Sequence, residues 1–391
     1  MCGIYGILSL DGARRFEPSV LERMGAVIEH RGPDDSGTFV GEDILLGMRR
    51  LSIIDVAGGH QPLTSEDGRV VAVCNGEIYN FQRLRRELEA AGHRFATHSD
   101  SEVAVHAYEQ FGDRFLEKLE GMFGLALWDI GRRRLLIARD AIGIKPLYYR
   151  LSGAELMFAS EAKALLAIPG VAARLDRAAL AQYLALGYNN APLTLFEGIR
   201  KLEPGTVLVA ERGAVTARRF HRLPQDIDRA RTERQWSDAL RGELERAVHE
   251  QMVSDVPIGA FLSGGIDSSA VVAFMSRHSS QPVKTYSIGF RGSSGARLYN
   301  ELPAARRVAT LFGTDHHEIL VQPDVAALLP RLIWHMDEPI ADAAFITTYL
   351  VSQFARREVT VILSGVGGDE LFAGYTRYLD EHYRRLYRRI P

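Results

Sequence analysis

The sequence predicts two domains of different class: an α+β layered domain over residues 2–150 and an α/β parallel-sheet domain over residues 232–391, with a connecting region at 151–231. Three observations carry this expectation. At 391 residues the chain exceeds the usual size of one hydrophobic core. Its first part interleaves short β-rich runs with amphipathic helical stretches, whose separate apolar faces suit helices covering sheets. Beyond residue 231 helix and strand patterns alternate, and such alternation builds parallel strands with crossover helices.

The runs CGIYGIL, ILLGMRRLSIID, VVAVCNGEI, GLALWDI and RLLIARD read in order as strands of the first domain. Between them LERMGAVIEH and FQRLRRELEAAG space apolar residues at i, i+3 and i+4, as a helix burying one face requires. The connecting region carries Gly and Pro punctuation, including the turn EPGT, and reads as short elements of its own. In the second domain RQWSDALRGELERAVHEQM is helical, VPIGAFL a buried strand, DSSAVVAFMSRH a helix, VKTYSIGF a strand, ELPAARRVATLF a helix and HHEILV a strand. Sheets of this kind bind ligands at the carboxyl ends of their strands. The chain closes on EHYRRLYRRIP, a basic helical stretch.

Composition narrows the classes of partner. Forty-seven basic against 49 acidic residues leave a net charge of −2, which excludes a general electrostatic attraction to nucleic acid or a membrane surface. Any anion is therefore held by a local site. No apolar stretch approaches the roughly 18 residues of a membrane span. The N-terminus lacks a basic segment followed by an apolar one, so the expectation is a soluble cytoplasmic protein without a signal peptide. Two cysteines, Cys2 and Cys74, are too few for a four-thiolate zinc site, and a reducing compartment disfavours their pairing. Taken alone, either reads as a packing residue.

Position sets Cys2 apart. Removal of Met1 gives Cys2 a free α-amine, which titrates near 7.7 to 8.0 and serves as a general base for its own thiol. Such a nucleophile attacks an acyl group and needs donors for the oxyanion that forms. In CNGEIYN the Asn75 side-chain amide and the Gly76 N–H are candidates, while Asn-Gly equally suits a hairpin turn. Arg50 suits a substrate carboxylate bidentately, or is a solvated arginine beside a strand. Asp100 in SDSE suits a cationic amine, or opens a helix with Ser99 and Glu102 as a capping box.

MCGI, HRGPD at 30–34, RLSIID at 50–55, NGEIYN at 75–80 and SDSE at 99–102 follow one another in the order of the class II glutamine amidotransferase domain, which this region resembles. The resemblance implies an N-terminal-nucleophile hydrolase sandwich of αββα layers. It implies Cys2 as glutaminase nucleophile and Asn75 with Gly76 as oxyanion hole. Glutamine would be held by Arg50, Leu51, Ser52, Ile53, Ile54, Asn75, Gly76, Glu77 and Asp100. Cys74, where relatives often carry an aromatic, is expected only to pack.

In the second domain SGGIDSS at 263–269 follows an apolar strand and opens a helix, an arrangement that aims backbone N–H groups and serine hydroxyls at a phosphate. The pattern GxxxxGK[ST] is absent, so γ-phosphoryl transfer of that type is not indicated. A second strand end, VTVILSGVGGDELFAGY, brings Ser364, Gly365, Gly367 and Gly368 before Asp369 and Glu370. Asp267 and Asp369 at two strand ends suit a shared Mg²⁺ on the phosphates, and each alone also suits a helix N-cap. These segments resemble N-type ATP pyrophosphatases. That resemblance implies ATP contacts from Leu262, Ser263, Gly264, Gly265, Asp267, Ser268, Ser269, Ile288, Ser364 and Gly365. MDEPIADAA at 336–344 matches a further active-site segment, with Asp337 and Glu338 as polar contributors.

Together the halves resemble the glutamine-hydrolysing asparagine synthetase family across essentially the whole chain. What this implies is ammonia released at Cys2, passage to the second site, and attack on an aspartate carboxylate activated as an acyl-adenylate, yielding asparagine, AMP and pyrophosphate. The implied partners are glutamine, ATP and aspartate, with Mg²⁺ as cofactor, no nucleic acid, no membrane, and a homodimer as a compatible assembly. Val366 and Asn300 stand where relatives commonly have acidic residues. Relatives also continue beyond the length seen here, so the second domain is expected to be incomplete at its C-terminal end. A different acceptor carboxylate, such as a surface-polysaccharide precursor, or a chain with only glutaminase or binding activity, stays open at this point. Retention of Cys2 argues against β-lactam synthetase-like cyclisation, and SGGIDSS against phosphoribosyl transfer.

Overall fold

The run CGIYGIL forms β1 (Gly3–Ser9), buried along its whole length rather than on alternate residues, because both faces of its sheet are covered. In chain order follow α1 (Ser19–Ala26), β2 (Asp35–Val40), β3 (Ile44–Arg50), β4 (Leu63–Thr64) and β5 (Val70–Ile78). Then come α2 (Phe81–Ala90), α3 (Val103–Phe111), β6 (Gly121–Asp129), β7 (Arg134–Arg139), β8 (Tyr148–Ser152), β9 (Glu155–Ala159) and α4 (Ala162–Leu166). The series ends with α5 (Arg177–Leu186), β10 (Arg200–Lys201), β11 (Thr206–Glu211) and β12 (Ala214–Arg219). The structure is a computed structural model that describes residues 1–291, 300–388 and 390. It divides into two units, Met1–Ile227 with Leu329–Asp342, and Asp228–Leu328 with Ala343–Pro391.

Two six-stranded sheets build the first unit, in the orders β10-β8-β9-β1-β3-β2 and β12-β11-β7-β6-β5-β4, and their paired strands run antiparallel. Ile4, Leu8, Leu46 and Met48 of one sheet meet Val71, Val73, Ala126, Trp128 and Ile137 of the other in a shared core. On the outer face of the first sheet Tyr5, Ile7 and Leu45 pack with Leu21 and Met24 of α1 and with Leu165 of α4. Helix α3 lies on β5. The layers are α, β, β, α, the sandwich the sequence led us to expect.

Two expectations need correcting. Residues 151–231 do not merely connect: β9 pairs with β1 and β11 with β7, so this stretch completes both sheets. The run ILLGMRRLSIID is a strand only to Arg50. There the guanidinium turns back on the carbonyls of Ile54 (3.0 Å), Asp55 (2.8 Å) and Val56 (3.4 Å), which folds the following residues into a loop.

The second unit begins with α6 (Glu233–Gln251), started by a capping box between Thr232 and Gln235. Next come β13 (Ile258–Phe261), α7 (Ile266–His278), β14 (Lys284–Phe290), α8 (Leu302–Phe312) and β15 (Asp315–Val321). Helix α9 (Val325–Met336), which belongs to the first unit from Leu329 onward, precedes α10 (Ala344–Ala355), β16 (Val361–Leu363), α11 (Gly368–Phe372) and α12 (Arg377–Tyr387). Residues 389 and 391 of the expected terminal helix lie outside the described residues. Among the described residues the sheet has four parallel strands, in the order β15-β14-β13-β16. The chain moves outward from β13 to β15 and returns to place β16 on the other side of β13. That reversal falls at the carboxyl ends of β13 and β16, the place where α/β sheets take their ligands. No helix among the described residues is long and apolar enough to cross a membrane.

Candidate functional site

In the first unit the sandwich brings Cys2, at the head of β1, to the residues of β5. Asn75 and Gly76 lie inside β5, opposite Gly124 and Phe123 of β6, so the hairpin-turn alternative for this pair is excluded. A Cβ on Gly76 would run into the Met122 carbonyl, which makes glycine the residue that fits. Asn75 is fully buried; its Nδ2 donates to Ser160 Oγ at 3.3 Å and its Oδ1 has no hydrogen-bond partner among the described residues. Ser160 Oγ also accepts the Ile4 N–H at 3.0 Å, which ties Asn75 to the start of β1.

Cys2 Sγ donates to the Leu51 carbonyl at 3.6 Å. Burial pushes the thiol above its ordinary pKa, against the pull of the Leu51 backbone and the N-terminal charge. The loop after Arg50 is itself anchored: the Ser52 N–H donates to Asp34 Oδ2 at 2.9 Å. Arg50 thus spends the hydrogen bonds described above on this loop, and Leu51, Ser52, Ile53 and Ile54 line it. Cys74 is buried and faces Gln61, whose Oε1 accepts its N–H at 2.7 Å, in keeping with a packing role.

Two carboxyls and one ammonium complete the cluster. Glu77 follows Gly76 on β5, and Asp100 accepts the Ile78 N–H at 2.7 Å. Burial, reinforced by the neighbouring Asp100 charge, pushes Glu77 well above its ordinary value; burial likewise raises Asp100, against hydrogen bonds from the Ile78 and Ser101 backbone. Two raised carboxyls side by side attract a cation. Lys145, which sequence reasoning missed, lies within electrostatic range of Glu77 and Cys2, and burial lowers its ammonium pKa. Asp140 delivers it. That fully buried carboxylate accepts the N–H groups of Phe123, Ile142, Ile144 and Lys145 at 2.9–3.3 Å. The signal available in the sequence was a lone lysine in the apolar stretch IGIKPLYY.

Arg31, from HRGPD, was also missed. Its Nε donates to the Cys2 carbonyl at 2.7 Å and its Nη1 to Glu161 Oε1 at 2.9 Å. Burial alone would raise Glu161, but the bond with His30, the Arg31 charge and the bonds from Lys163 and Arg31 outweigh it and hold the carboxyl at about 2. Because the folded value lies below the ordinary 4.5, ionised Glu161 stabilises the fold above pH 4.5, and that contribution drains away as pH falls toward about 2. Glu161→Gln is expected to cost about 3 kcal/mol at pH 7. Urea unfolding across pH should show the gap to the parent narrowing below pH 4.5; a gap constant with pH would refute the assignment.

Asp337 and Glu338 are both bonded within the first unit. Asp337 accepts the Ala162 N–H at 2.6 Å and pairs with Lys163 at 2.7 Å. Glu338 accepts the Leu195 N–H at 2.6 Å and pairs with Lys201 at 2.7 Å. Both carboxylates pin the segment Leu329–Asp342 within the first unit.

In the second unit the loops after β13 and β16 meet at the strand-order reversal. Gly264, at φ +81°, brings its backbone so close to α8 that a Cβ would lie 2.6 Å from the Ala304 carbonyl carbon. Ser263 Oγ bonds Ser268 Oγ at 2.9 Å and accepts the Gly265 N–H at 3.2 Å, fixing the turn into α7. Ser269 Oγ donates to the Gly265 carbonyl at 2.6 Å. A Cβ on Gly365 would come 2.6 Å from the Ser268 nitrogen, and one on Gly368 would strike the Asp267 carboxylate. The two glycine-rich segments therefore interlock around Asp267.

Asp267 and Asp369 are half-buried, and neither carboxylate has a hydrogen bond or ion pair among the described residues. Neither serves as the helix cap that each alone allowed: the N-caps of α7 and α11 are Gly265 and Gly367. Ser364 Oγ accepts the Val366 N–H at 3.4 Å. Leu262 is buried, its N–H on the Tyr286 carbonyl at 3.0 Å, and Ile288 lies on β14. An acceptor-only pair beside a turn of N–H groups suits a hard divalent cation with phosphates.

Comparison with known proteins assigns each part of the chain to a family. The glutamine amidotransferase domain family matches residues 1–221, and the asparagine synthase family matches residues 239–391. Asparagine synthetase [glutamine-hydrolyzing] 1 of Bacillus subtilis is 37% identical over 399 residues, covering all of this chain and 61% of its own length. A putative asparagine synthetase [glutamine-hydrolyzing] of Mycobacterium tuberculosis is 38% identical over 419 residues, with 63% of its length covered. For a putative asparagine synthetase [glutamine-hydrolyzing] 2 of Methanocaldococcus jannaschii the figures are 34% over 420 residues and 79%. The chain thus spans about three fifths of the first two relatives. Matched from end to end by these relatives, and over 221 of its 391 residues by the amidotransferase family alone, the chain belongs to the glutamine-hydrolysing asparagine synthetase family.

Proposed function

We propose that this chain releases ammonia from glutamine at Cys2 and uses it to amidate an aspartate carboxylate activated by ATP. The observation that carries the reading is the clustering of a part-buried nucleophile, a strand-held Asn75–Gly76 pair and two raised carboxyls in one unit. Once Met1 is removed, the Cys2 α-amine takes the thiol proton and Sγ attacks the glutamine side-chain carbonyl carbon. Asn75 Nδ2 and the Gly76 N–H receive the oxyanion. The Cys2 α-ammonium returns that proton to the amide nitrogen, the C–N bond breaks and ammonia leaves, and water then hydrolyses the thioester to glutamate and the free thiol. Glu77 and Asp100 hold the substrate ammonium, whose charge relieves their mutual repulsion. Arg50 and the loop Leu51, Ser52, Ile53 and Ile54 wall the carboxylate end.

In the second unit the N–H groups of Gly264 and Gly265 and the hydroxyls of Ser263, Ser268, Ser269 and Ser364 hold the ATP phosphates, with Gly365 at close approach and Leu262 and Ile288 against the base. Mg²⁺, when bound, neutralises phosphate charge; Asp267 and Asp369 are the residues that hold it. The acceptor carboxylate oxygen displaces pyrophosphate from the α-phosphorus, and ammonia then displaces AMP from the acyl carbon.

The test is release of glutamate, AMP and pyrophosphate by the purified chain given glutamine, ATP, Mg²⁺ and aspartate. AMP that depends on aspartate, with asparagine formed, is expected. Glutamate without aspartate-dependent AMP would remove aspartate amidation as an activity of this chain. Exposed Val366, in the loop between Gly365 and Gly367, favours one second reading, an acceptor other than aspartate. Such an enzyme would form AMP only with that other carboxylate.

A further inference from the structure

We propose that Glu66, His93, His106 and Glu109 form a divalent transition-metal site, of zinc type, in the first unit. The four residues come from three places: the β4–β5 turn, the segment after α2, and α3, where His106 and Glu109 stand three residues apart on one face. Their ligand atoms all lie within 4.8 Å of one another. His106 Nδ1 is 3.4 Å from Glu66 Oε2 and 3.3 Å from Glu109 Oε2. His93 Nδ1 is 3.6 Å from Glu66 Oε1 and 3.7 Å from Glu109 Oε2. A tetrahedral ion with bonds of 2.0–2.1 Å sets its ligands about 3.4 Å apart. The four distances bracket that edge with little movement required.

The outer atoms support the same reading. Each imidazole turns Nδ1 inward, and its Nε2 meets an acceptor: Gln110 Oε1 at 3.2 Å for His93, and Glu102 Oε1 at 3.5 Å for His106. An acceptor at each Nε2 suits the tautomer of metal-bound histidines, with the proton on Nε2, and an ion would take the place of any proton that Nδ1 of His106 shares with Glu66 and Glu109. Glu102 is itself fixed, accepting the N–H groups of Ala96 and Thr97 at 2.7 and 2.8 Å. Among the described residues no lysine or arginine side chain pairs with Glu66 or Glu109, and both are exposed, which gives an ion an entry path. The other His-carboxylate cluster differs on this point. In Asp315–His317–Glu358 the Lys284 ammonium already bonds both carboxylates, at 3.0 and 2.6 Å.

Two imidazoles and two carboxylates suit zinc and its neighbours rather than Mg²⁺ or Ca²⁺, which prefer all-oxygen shells. Two carboxylates also balance the charge of a divalent ion. The segment between His93 and His106 carries Asp100, so an ion here staples the turn that presents this residue to β5.

The test uses Co²⁺ as a spectroscopic stand-in for Zn²⁺ on the full chain after chelator treatment. One equivalent of Co²⁺ is expected to give the intense visible bands of a tetrahedral centre, displaced by Zn²⁺ and not by Mg²⁺. Zn²⁺ should also raise the thermal midpoint. His93→Ala and Glu109→Gln, both at partly accessible side chains, should weaken Zn²⁺ binding by at least about 100-fold while the apo chains unfold as the parent does. Absence of a tetrahedral spectrum, or the same spectrum and affinity in both variants, would overturn the site. In that case the cluster is a charge-paired set of histidines and glutamates.

Discussion

Cys2→Ala is expected to slow glutamate release from glutamine by about 10⁴-fold or more, while AMP formation with ammonium, ATP and aspartate continues. On the proposed mechanism the size follows from removing the atom that bonds the substrate carbon; the proposed oxyanion donors and carboxyls that remain would bind glutamine without cleaving it. The fold should tolerate the change. Cys2 precedes β1, and the bond that anchors its backbone, from Arg31 Nε to the Cys2 carbonyl, does not involve sulfur. Alanine at this position still permits removal of Met1, so the new terminus is preserved. Glutamate is read by a coupled assay and AMP by chromatography on the same preparation, with thermal unfolding as control. A folded variant that loses both activities would contradict a second site that works on ammonia alone. One that keeps glutamate release would mean that Cys2 is not the nucleophile.

Much of this site was legible because its chemistry lies in contiguous residues. The nine residues VVAVCNGEI are β5 from end to end, as the strand reading of that run had it, while the hairpin turn that Asn-Gly also suited is excluded only by the pairing with β6. The helix–strand alternation after residue 231 likewise gave the parallel sheet, since periods of 3.6 and 2 are local properties. The position of β16 beside β13 was not local. It depends on the chain returning past two strands, and only that return makes SGGIDSS and SGVGGDE neighbours.

Residues 151–231 show the same limit from the other side. Their strands are short, and their partners β1 and β7 lie far away in sequence, so local pattern reads them as a linker. Asp337 and Glu338 were read as polar contributors to an active-site segment, and their partners Lys163 and Lys201, more than 130 residues distant, could not be read from the local pattern. Lys145 was invisible for a related reason: four N–H bonds to one buried aspartate, not any motif of its own, bring it in. Glu66, His93, His106 and Glu109 are spread over 44 residues without a recognised metal spacing, and converge only when α3 lies on β5.

Asp267→Asn is expected to reduce AMP and pyrophosphate formation by about 100- to 1,000-fold and to leave glutamate release untouched. Asparagine has the shape of aspartate, so it keeps the fit against Gly365 and Gly368 that interlocks the two loops; what it removes is negative charge. In the chain as it stands Asp267 has no partner among the described residues, and an unpaired half-buried carboxylate costs stability unless a cation arrives. The variant should therefore be as stable as the parent without ligands, or slightly more so, and should need more Mg²⁺ to reach its own half-maximal rate. That pairing of stability kept and Mg²⁺ demand raised separates a ligand of the ion from a residue that merely shapes the loop. A loop-shaping residue would lose stability with no change in Mg²⁺ dependence. AMP formation at the parent rate would take Asp267 out of the nucleotide site altogether, leaving Asp369 as the remaining candidate beside the phosphates.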